Sequence, residues 1–325
     1  MQYNVCTLFD SNYLIKGLAL IQSVINHASQ NIKWHVLALD GITSEYLRSN
    51  FPDIDVLDFG PEFDQELYER SFNRPWRETC WSAAACLLNN LTHKLENSEY
   101  LVYLDADCFF YNDITKMLTC LESFNIAIHE HNFSEDRKEW LNKSGRFNVG
   151  AVAGVVGQEF ITCTTRWREQ VLESCESIPS LGKCGDQTYL NEWPELYPNL
   201  YIWESPGVGL APWNLNNFPP LEMGSSLSVA KSDLFFFHFH GLEIKFLTSF
   251  LALYVPAAGY NLRNKPIKYI FEPYIRNLML LRNNLHTNTY FISDSIRLRW
   301  LVSNILKRNL YLVHAQLKLI KGVTN

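Results

Sequence analysis

The first third of the chain alternates short apolar segments with longer segments of helical periodicity. Tyr3–Phe9 is predicted to be a strand, and the apolar residues of the next segment, 14–25, recur at the spacing of one helix face. The alternation continues with predicted strands Trp34–Leu39, Ile54–Phe59 and Tyr100–Leu104 and with predicted helices that start at Ser44 and Thr79. Because strands that alternate with helices form parallel sheets, the sequence predicts a Rossmann-like α/β fold with a mostly parallel sheet flanked by helices.

Charge divides the chain into two parts. Residues 251–325 contain 11 Lys and Arg against two Asp and Glu, whereas the whole chain has a formal net charge of −6. No Gly- or Ser-rich linker interrupts residues 1–250. We therefore predict one doubly wound domain over 1–250 and a basic, mainly helical extension over 251–325.

The end of this extension predicts an amphipathic helix between Arg297 and Lys321. Its apolar residues fall on one helical face and its basic residues lie opposite. Such a helix suits the anionic inner face of the plasma membrane, and it suits equally well an apolar face packed on the first domain. The sequence leaves both alternatives open. It offers no nucleic-acid recognition motif to accompany the positive charge.

The cysteines and the N-terminus predict a cytoplasmic protein. The eight cysteines show no C-x-x-C pair and no regular spacing, which argues against a zinc knuckle or a disulfide framework. The first ten residues lack the basic and apolar regions of a secretory signal. No segment reaches the ~20 apolar residues that span a bilayer. A peripheral position at the membrane would follow if the basic extension binds there.

The strongest chemical signal is a pair of carboxylates after the predicted strand Tyr100–Leu104. Asp105 and Asp107 stand at its carboxyl end, which is where open α/β sheets bind ligands. Mg²⁺ or Mn²⁺ is a natural partner for both, because hard cations prefer oxygen ligands and can bridge to a diphosphate. An Asp-rich turn without a metal is the alternative, since D-x-D is a common sequence.

A second signal is an apolar run that ends in two histidines. His238 and His240 share one face of the predicted strand and are followed by Gly241. An imidazole can complete a carboxylate metal site, and a glycine lets the backbone approach a phosphate. The alternative is that both histidines are structural.

Three further segments combine polar side chains with turns. Asp186 and Gln187 open a short predicted helix, where an aspartate is often only an N-cap. Trp213 and Asn214 could stack on a sugar and bind its hydroxyls, or they could anchor their loop in the core. The start of another predicted strand contributes Asn148 and Gly150.

The order of these motifs resembles that of the glycogenin and lipooligosaccharide-galactosyltransferase superfamily, whose fold is GT-A. The chain is more similar still to a group of bacterial glycosyltransferases. The resemblance covers about residues 3–245 and depends on these segments in this order: Phe9-Asp-Ser-Asn-Tyr13, Tyr103-Leu-Asp-Ala-Asp107, Phe147-Asn-Val-Gly150, Asp186-Gln-x-x-Leu-Asn191 and His238-x-x-Gly241.

The resemblance implies a role for each matched residue. The uridine of a donor would be held by Asp10, Asn12 and Tyr13, with Asn148 and Gly150 in the same cleft. The Mn²⁺ or Mg²⁺ would be bound by Asp105, Asp107 and His238, with His240 as a competing ligand. The donor sugar would lie against the catalytic pair Asp186 and Gln187.

The chain departs from this pattern near the diphosphate. The superfamily follows its His-x-x-Gly with Lys-Pro-Trp, whose lysine touches the diphosphate, whereas this chain continues Leu242-Glu-Ile-Lys245. Gly241 and Lys245 are therefore the candidate donor-binding residues here. A basic residue normally found before the metal motif has no obvious counterpart, and Arg74 and Arg77 are the candidates for it.

The resemblance thus implies a metal-dependent hexosyltransferase that uses a nucleotide-diphosphate donor, UDP-sugar foremost, and a glycan or lipid-linked glycan acceptor. It would act with retention, as in polysaccharide or lipopolysaccharide biosynthesis; in an inverting reaction Asp186 would be the general base. A sugar-1-phosphate nucleotidyltransferase is one rival, but its first loop should be rich in glycine and Phe9–Tyr13 contains none. A non-catalytic relative that binds nucleotide-sugar or glycan is the other rival.

Overall fold

The computed structural model describes residues 2–177, 184–218, 222–223, 226–248, 251–257, 259–260, 262, 267–286 and 311–314. The chain forms two compact units, residues 1–238 and 239–325. The sequence-based division at position 250 stays a prediction.

The first unit is built on a mostly parallel sheet. Its described strands are β1 Tyr3–Phe9, β2 Ile32–Ala38, β3 Asp55–Asp58, β4 Tyr100–Leu104, β5 Cys108–Phe110, β6 Ile126–Glu130, β7 Phe147–Val155, β8 Leu200–Trp203, β9 Glu222–Met223, β10 Leu227–Val229, β11 Ser232–Asp233 and β12 Phe236–His238. Seven of them form the central sheet, in the order β3-β2-β1-β4-β7-β6-β8. Only β7 runs antiparallel to its neighbours in that sheet.

Helices follow the strands as the alternating pattern predicts. Those described are α1 Leu14–His27, α2 Gly41–Asn50, α3 Gln65–Ser71, α4 Trp76–Thr92, α5 Ile114–Met117, α6 Leu141–Ser144, α7 Gln158–Glu173, α8 Trp193–Leu196 and, in the second unit, α9 Lys268–His286. Short 3₁₀ helices span Leu118–Glu122, Glu135–Trp140, Gln187–Glu192 and Leu215–Asn217.

The strand β4 lies in the middle of the central sheet. Its five residues are at most 4 % exposed, because a strand in the middle of a sheet flanked by helices is covered on both faces. This accounts for its uninterrupted apolar sequence. Just beyond it, β5 leaves the sheet and pairs antiparallel with β12. The strands β9, β10 and β11 form a separate antiparallel sheet.

The second unit combines an antiparallel sheet with α9. Its strands are β13 Glu243–Thr248, β14 Leu251–Val255 and β15 Tyr311–His314. Phe239 stacks on Tyr274 of α9 with ring centroids 3.9 Å apart. The amphipathic helix predicted over 297–321 is wrong at 311–314, where the backbone pairs as a strand, and the rest of that segment lies outside the described residues. Local periodicity could not anticipate this pairing, because it depends on β14.

The fold class predicted from the sequence is confirmed: a mostly parallel sheet is flanked by helices, and a helix is present in the C-terminal part. The predicted bounds of β1 and β4 are those observed. One local prediction is wrong. Ser44 lies inside α2, and the cap is Asp40, whose carboxylate accepts a hydrogen bond from Thr43 N. Among the described residues, no helix is long and apolar enough to cross a membrane.

An ion pair joins the start of α3 to α7. Asp64 caps α3 by accepting from Leu67 N, and it also accepts from Nε and Nη2 of Arg168 at 2.7 and 2.8 Å. The Asp64 side chain is only 8 % exposed. Burial pushes the pKa of Asp64 upward, but its hydrogen bonds, those from Arg168 foremost, outweigh burial and hold the pKa below its usual range.

We expect Arg168→Ala to lower the free energy of unfolding by about 2–4 kcal/mol, because it leaves a nearly buried carboxylate without its cation. The matched control is Arg166→Ala on the same helix. Arg166 pairs with Glu192 in solvent, so its removal should lower stability by less than about 1 kcal/mol. Urea unfolding at pH 7 measures both.

The loss at Arg168 should also depend on pH. Since the pKa of Asp64 is lowered in the folded state, the contribution of its charge is present above the unfolded pKa of about 4 and disappears as the pH falls below it. Two results would contradict this account of the ion pair. One is an equal decrease in the free energy of unfolding in the two variants, and the other is a decrease in Arg168→Ala that persists at pH 2.

Candidate active site

Asp105 and Asp107 lie directly beyond the carboxyl end of β4, as predicted. The backbone N–H of Asp105 donates to the carbonyl of Gly150 on β7 at 3.2 Å. The hydroxyl of Tyr103 donates to Asp105 Oδ1 at 2.9 Å. The two aspartate side chains remain 31 % and 15 % exposed. Asp105 is therefore held by the sheet, and both carboxylates remain accessible to a ligand from solvent.

A strand pairing brings His238 to the two aspartates. The strand β5 begins directly after Asp107, and it pairs with β12 so that Cys108 stands opposite His238. The imidazole Nε2 lies 3.1 Å from Asp107 Oδ1 and 3.8 Å from Asp105 Oδ2. One ligand atom from each of these three side chains lies within 4.8 Å of the others. Within the described part of the chain, no second group of three such side chains could hold a metal.

Charge and burial act on this cluster in opposite directions. Burial lowers the pKa of His238, but the carboxylates of Asp107 and Asp105 outweigh burial and raise the pKa overall. Burial raises the pKa of Asp105; His238 opposes this rise and Asp107 adds to it. A divalent cation would stabilise both carboxylates in their charged form, because its charge attracts each of them.

The donor set and its surroundings fit Mg²⁺ or Mn²⁺. Two carboxylates and one imidazole are ligands that these ions accept. Gly150 keeps the space beside His238 open, since a Cβ there would lie 2.7 Å from His238 Nδ1. The edge of Trp213 packs on the His238 ring, with centroids 5.1 Å apart. Together with the Tyr103–Asp105 hydrogen bond, this contact fixes the orientation of the ligands.

Asn148 connects Gly150 to Gln187. Its Oδ1 accepts from Gly150 N at 2.9 Å, and its Nδ2 donates to Gln187 Oε1 at 3.4 Å. The same Nδ2 lies 3.2 Å from Nε2 of His131. Asn148 is 6 % exposed. Asn148 and Gly150, which were predicted to line one cleft, thus lie together. Gly150 contacts the backbone of Asp105, and Asn148 contacts Gln187.

Asp186 is buried at 7 % exposure. It precedes the 3₁₀ helix Gln187–Glu192, but its side chain makes no capping hydrogen bond, so the simple N-cap alternative does not explain it. Burial, followed by the nearby charge of Asp105, raises the pKa of Asp186 to about 8. A carboxyl group with so high a pKa beside a second acid is a typical feature of a functional site.

The predicted uridine-binding residues form the turn between β1 and α1. The carboxylate of Asp10 accepts from the backbone N–H groups of Asn12 and Tyr13 at 3.0 and 3.1 Å. Asp40, at the end of β2, accepts from Ser11 N at 2.9 Å. The turn is therefore rigid. Tyr13 remains 43 % exposed.

Trp213 and Asn214 lie in a buried loop, at 4 % and 3 % exposure. Asn214 Oδ1 accepts from Ala211 N, and its Nδ2 donates to the carbonyls of His131 and Gly209. These contacts favour the loop-anchoring alternative for Asn214. The burial of Trp213 and the contact of its ring with that of His238 favour the core-anchoring alternative for Trp213 as well.

His240, Gly241 and Lys245 belong to the second unit. His240 is exposed and its ring packs edge-on against that of Tyr260. Gly241 has φ +74°, a conformation that favours glycine. Lys245 is half-buried on β13, opposite Leu253. Of the two histidines, the cluster that could hold a metal contains His238.

Of the two basic candidates, Arg74 has a structural explanation. Its guanidinium donates to the carbonyls of Val171 and Leu172 near the end of α7, where orphan carbonyls favour a cation. Arg77 is exposed at the start of α4.

Sequence analysis assigned no role to three residues near the site: Tyr103, Lys16 and His131. The signal for Tyr103 was present, since residues i and i+2 share one face of a strand. The ammonium of Lys16 lies 4.0 Å from the centre of the Tyr13 ring. Its positive charge lowers the pKa of His238. Its position three residues after Tyr13 on α1 was the available hint.

Known proteins resemble the chain over most of its length. The uncharacterized protein YfnD of Bacillus subtilis (strain 168) is 25 % identical over 280 residues, which cover 85 % of this chain and 88 % of YfnD. The uncharacterized protein YfnF of the same strain is 25 % identical over 247 residues, with 74 % and 81 % covered.

Two solved structures also align with the chain. The galactosyltransferase LgtC, in complex with donor and acceptor sugar analogs, has a TM-score of 0.47 at 17 % identity, with 66 % of this chain and 77 % of LgtC covered. The apo form of the glycosyltransferase GlyE from Streptococcus pneumoniae TIGR4 has a TM-score of 0.48 at 14 % identity, with 91 % and 66 % covered. The profile of glycosyl transferase family 8 matches residues 4–191, more than half of the chain, and the protein therefore belongs to that family.

Proposed function

We propose that the protein transfers a hexose from a UDP-hexose to a glycan or lipid-linked glycan, with retention of configuration and with Mn²⁺ or Mg²⁺ at the active site. Membership of glycosyl transferase family 8 supports glycosyl transfer. The observation that supports the metal-dependent chemistry is the cluster of Asp105, Asp107 and His238 at the end of β4, whereas the donor, the acceptor and the retention follow from the resemblance. Such a cluster is suited to grip a diphosphate through a shared cation.

The three residues of the cluster would hold the ion. A bound divalent cation supplies Lewis-acid stabilisation of the negative charge that develops on a departing diphosphate. Two contacts of the chain hold the ligands in place. Tyr103 fixes one oxygen of Asp105, and Trp213 supports the ring of His238.

The turn between β1 and α1 would hold the nucleoside. The exposed ring of Tyr13 can stack on uracil, and the carboxylate of Asp10 keeps the turn in shape. Two lysines are candidates for the diphosphate. Lys245 is the lysine that follows the His-x-x-Gly segment, although the segment departs from the family pattern there. Lys16 is a candidate because its ammonium lowers the pKa of His238.

The donor sugar would lie against Gln187 and Asp186. Breaking the glycosidic bond leaves positive charge on the sugar ring, and a nearby carboxylate or amide oxygen stabilises that charge. In a retaining reaction the acceptor hydroxyl attacks from the side of the departing phosphate, whose oxygen can take up the hydroxyl proton, so neither residue needs to act as the base. In an inverting reaction Asp186, whose pKa is about 8, would serve as the base.

A panel of nucleotide-sugars with Mn²⁺ tests this proposal, with hydrolysis and transfer both followed. The proposal expects one UDP-sugar to be consumed and the anomeric configuration of the product to be retained. Binding of UDP without turnover of any donor would favour the non-catalytic relative instead. Formation of a nucleotide-sugar from a sugar 1-phosphate would favour the nucleotidyltransferase.

We expect Asp107→Asn to reduce transfer by at least roughly 100-fold, because it removes a charged ligand of the ion that stabilises the leaving group. The thermal unfolding temperature should change little. Asp58→Asn is the matched control, since Asp58 also ends a strand of the sheet but pairs with Arg48. Full activity of Asp107→Asn at saturating Mn²⁺ would contradict the metal-centred proposal.

We expect Asp186→Asn to abolish transfer and to stabilise the fold at alkaline pH. The folded pKa of Asp186 is raised to about 8 from an unfolded value near 4. Between these two pH values the carboxyl group is ionised mainly in the unfolded state. The free energy of unfolding therefore falls as the pH rises from about 4 to about 8. The variant should unfold at a higher temperature than the wild type at pH 8, and the difference should vanish near pH 4.

Asp113→Asn is the control for this prediction, because its effect on stability at pH 8 should have the opposite sign. Burial raises the pKa of Asp113, but hydrogen bonds from Ser29 and Thr115 outweigh it and lower the pKa overall. Asp113→Asn should therefore destabilise the protein at pH 8. Calorimetry of both variants at pH 4 and pH 8 gives the comparison, and a destabilised Asp186→Asn at pH 8 would contradict the buried-acid account.

The basic extension, residues 251–325, would bring the enzyme to an anionic membrane where a lipid-linked acceptor lies. This placement is supported by the composition of the extension, which contains 11 Lys and Arg but only two Asp and Glu. We expect the protein to co-sediment with vesicles that contain anionic lipid at low salt and to be released at high salt, because exposed charges are screened. Failure to bind anionic vesicles at low salt would contradict this placement.

A further inference from the structure

We propose that His131 is a positioning residue for the transfer reaction: through Asn148 it fixes the orientation of the side-chain amide of Gln187. This inference rests on the proposed function, because it assigns Gln187 a place beside the donor sugar. Neither the resemblance nor the sequence pattern pointed to His131. It follows from a continuous chain of hydrogen bonds in the first unit.

The hydrogen-bond partners determine which nitrogen of His131 carries the proton. Nδ1 lies 3.1 Å from the carbonyl oxygen of Gly145, and a carbonyl can only accept. Nδ1 is therefore protonated, and Nε2 of the neutral ring is an acceptor. It receives the N–H of Asn148 Nδ2 at 3.2 Å.

The same reasoning fixes both amides. Asn148 Oδ1 accepts from the backbone N–H of Gly150, so the NH₂ group of Asn148 must face His131 and Gln187. It donates to Gln187 Oε1 at 3.4 Å. The NH₂ group of Gln187 is therefore directed away from Asn148. If His131 instead carried its proton on Nε2, two donors would face each other and Asn148 could not keep both partners.

Packing holds the imidazole of His131 in this role. The residue is 3 % exposed, and its ring stacks on that of Phe133 with centroids 4.5 Å apart and planes at 11°. Trp213 contacts it edge-on at 5.5 Å. Burial, with smaller contributions from His129 and His238, lowers the pKa of His131 to about 3. The ring thus stays neutral, as the hydrogen-bond chain requires.

The network also couples the sugar side of the site to the metal side. The N–H of Gly150 binds Asn148, while its carbonyl accepts from the backbone N–H of Asp105. A change at His131 should therefore disturb Gln187 more than it disturbs the carboxylates, because two hydrogen bonds lead directly to Gln187 and the path to Asp105 runs through the backbone of β7.

A matched pair of substitutions separates this role from simple packing. His131→Gln places an acceptor oxygen near the position of Nε2, whereas His131→Asn replaces only the Nδ1 end that binds Gly145. We expect kcat to fall roughly 10- to 100-fold in the Asn variant, with the KM for the donor and the affinity for Mn²⁺ little changed, and to recover most of its value in the Gln variant. Equal kcat values in the two variants would overturn the proposal.

The same pair at His129 is the control. His129 lies on β6, two residues before His131, and its buried Nε2 has no hydrogen-bond partner. Its Nδ1 lies 3.2 Å from the carbonyl of Glu130. Gln should therefore hold no advantage in kcat over Asn at position 129. An advantage as large as that at position 131 would show that side-chain length, and not the acceptor atom, matters, and would overturn the proposal.

A measurement on the wild-type protein tests the network without any assay of transfer. Selective ¹⁵N labelling of histidine and two-bond ¹H–¹⁵N spectra report the tautomer of each ring. We expect the His131 signals, assigned by their loss in His131→Gln, to show a protonated Nδ1 and no titration above pH 5. A protonated Nε2 would overturn the proposal even if transfer is found. The expected tautomer in a protein that transfers no sugar would instead reject the proposed function alone.

Discussion

The pairing of β5 with β12 is the constraint on which the candidate site depends. Asp105 and Asp107 are fixed by the end of β4, but two carboxylates alone do not make a metal site. The antiparallel register that places His238 opposite Cys108 brings an imidazole within 3.1 Å of Asp107. A shift of that register by one residue would turn His238 to the other face of the pair. The site therefore requires both strands in this alignment.

Around this cluster, buried polar groups set the orientation of groups that the chemistry needs. Tyr103 holds Asp105, and Asn148 bonds both Gly150 and Gln187. Fixed dipoles of this kind stabilise developing charge without having to reorganise during the reaction. Asp186 shows the associated cost, since burial raises its pKa to about 8 and makes its ionised form unfavourable for folding.

The sequence predicted what depends on neighbours along the chain. The bounds of β1 and β4 and the location of the two aspartates follow from local apolar patterns and from the rule that ligands bind at the carboxyl ends of parallel strands. The resemblance, and not the local pattern, brought His238 to the two aspartates, and other features that depend on distant segments were missed or wrong. His131 acquires its partners only when β7 lies beside β6, and Tyr311–His314 is a strand only because β14 pairs with it.

The most direct test of the central claim is electron paramagnetic resonance of Mn²⁺ bound to the protein in the presence of UDP, with histidine labelled by ¹⁵N. The account predicts a single saturable Mn²⁺ site whose electron spin couples to a histidine nitrogen, and it predicts that His238→Gln removes this coupling. A saturable Mn²⁺ site without nitrogen coupling, or coupling that persists in His238→Gln, would contradict the claim that Asp105, Asp107 and His238 converge on one ion.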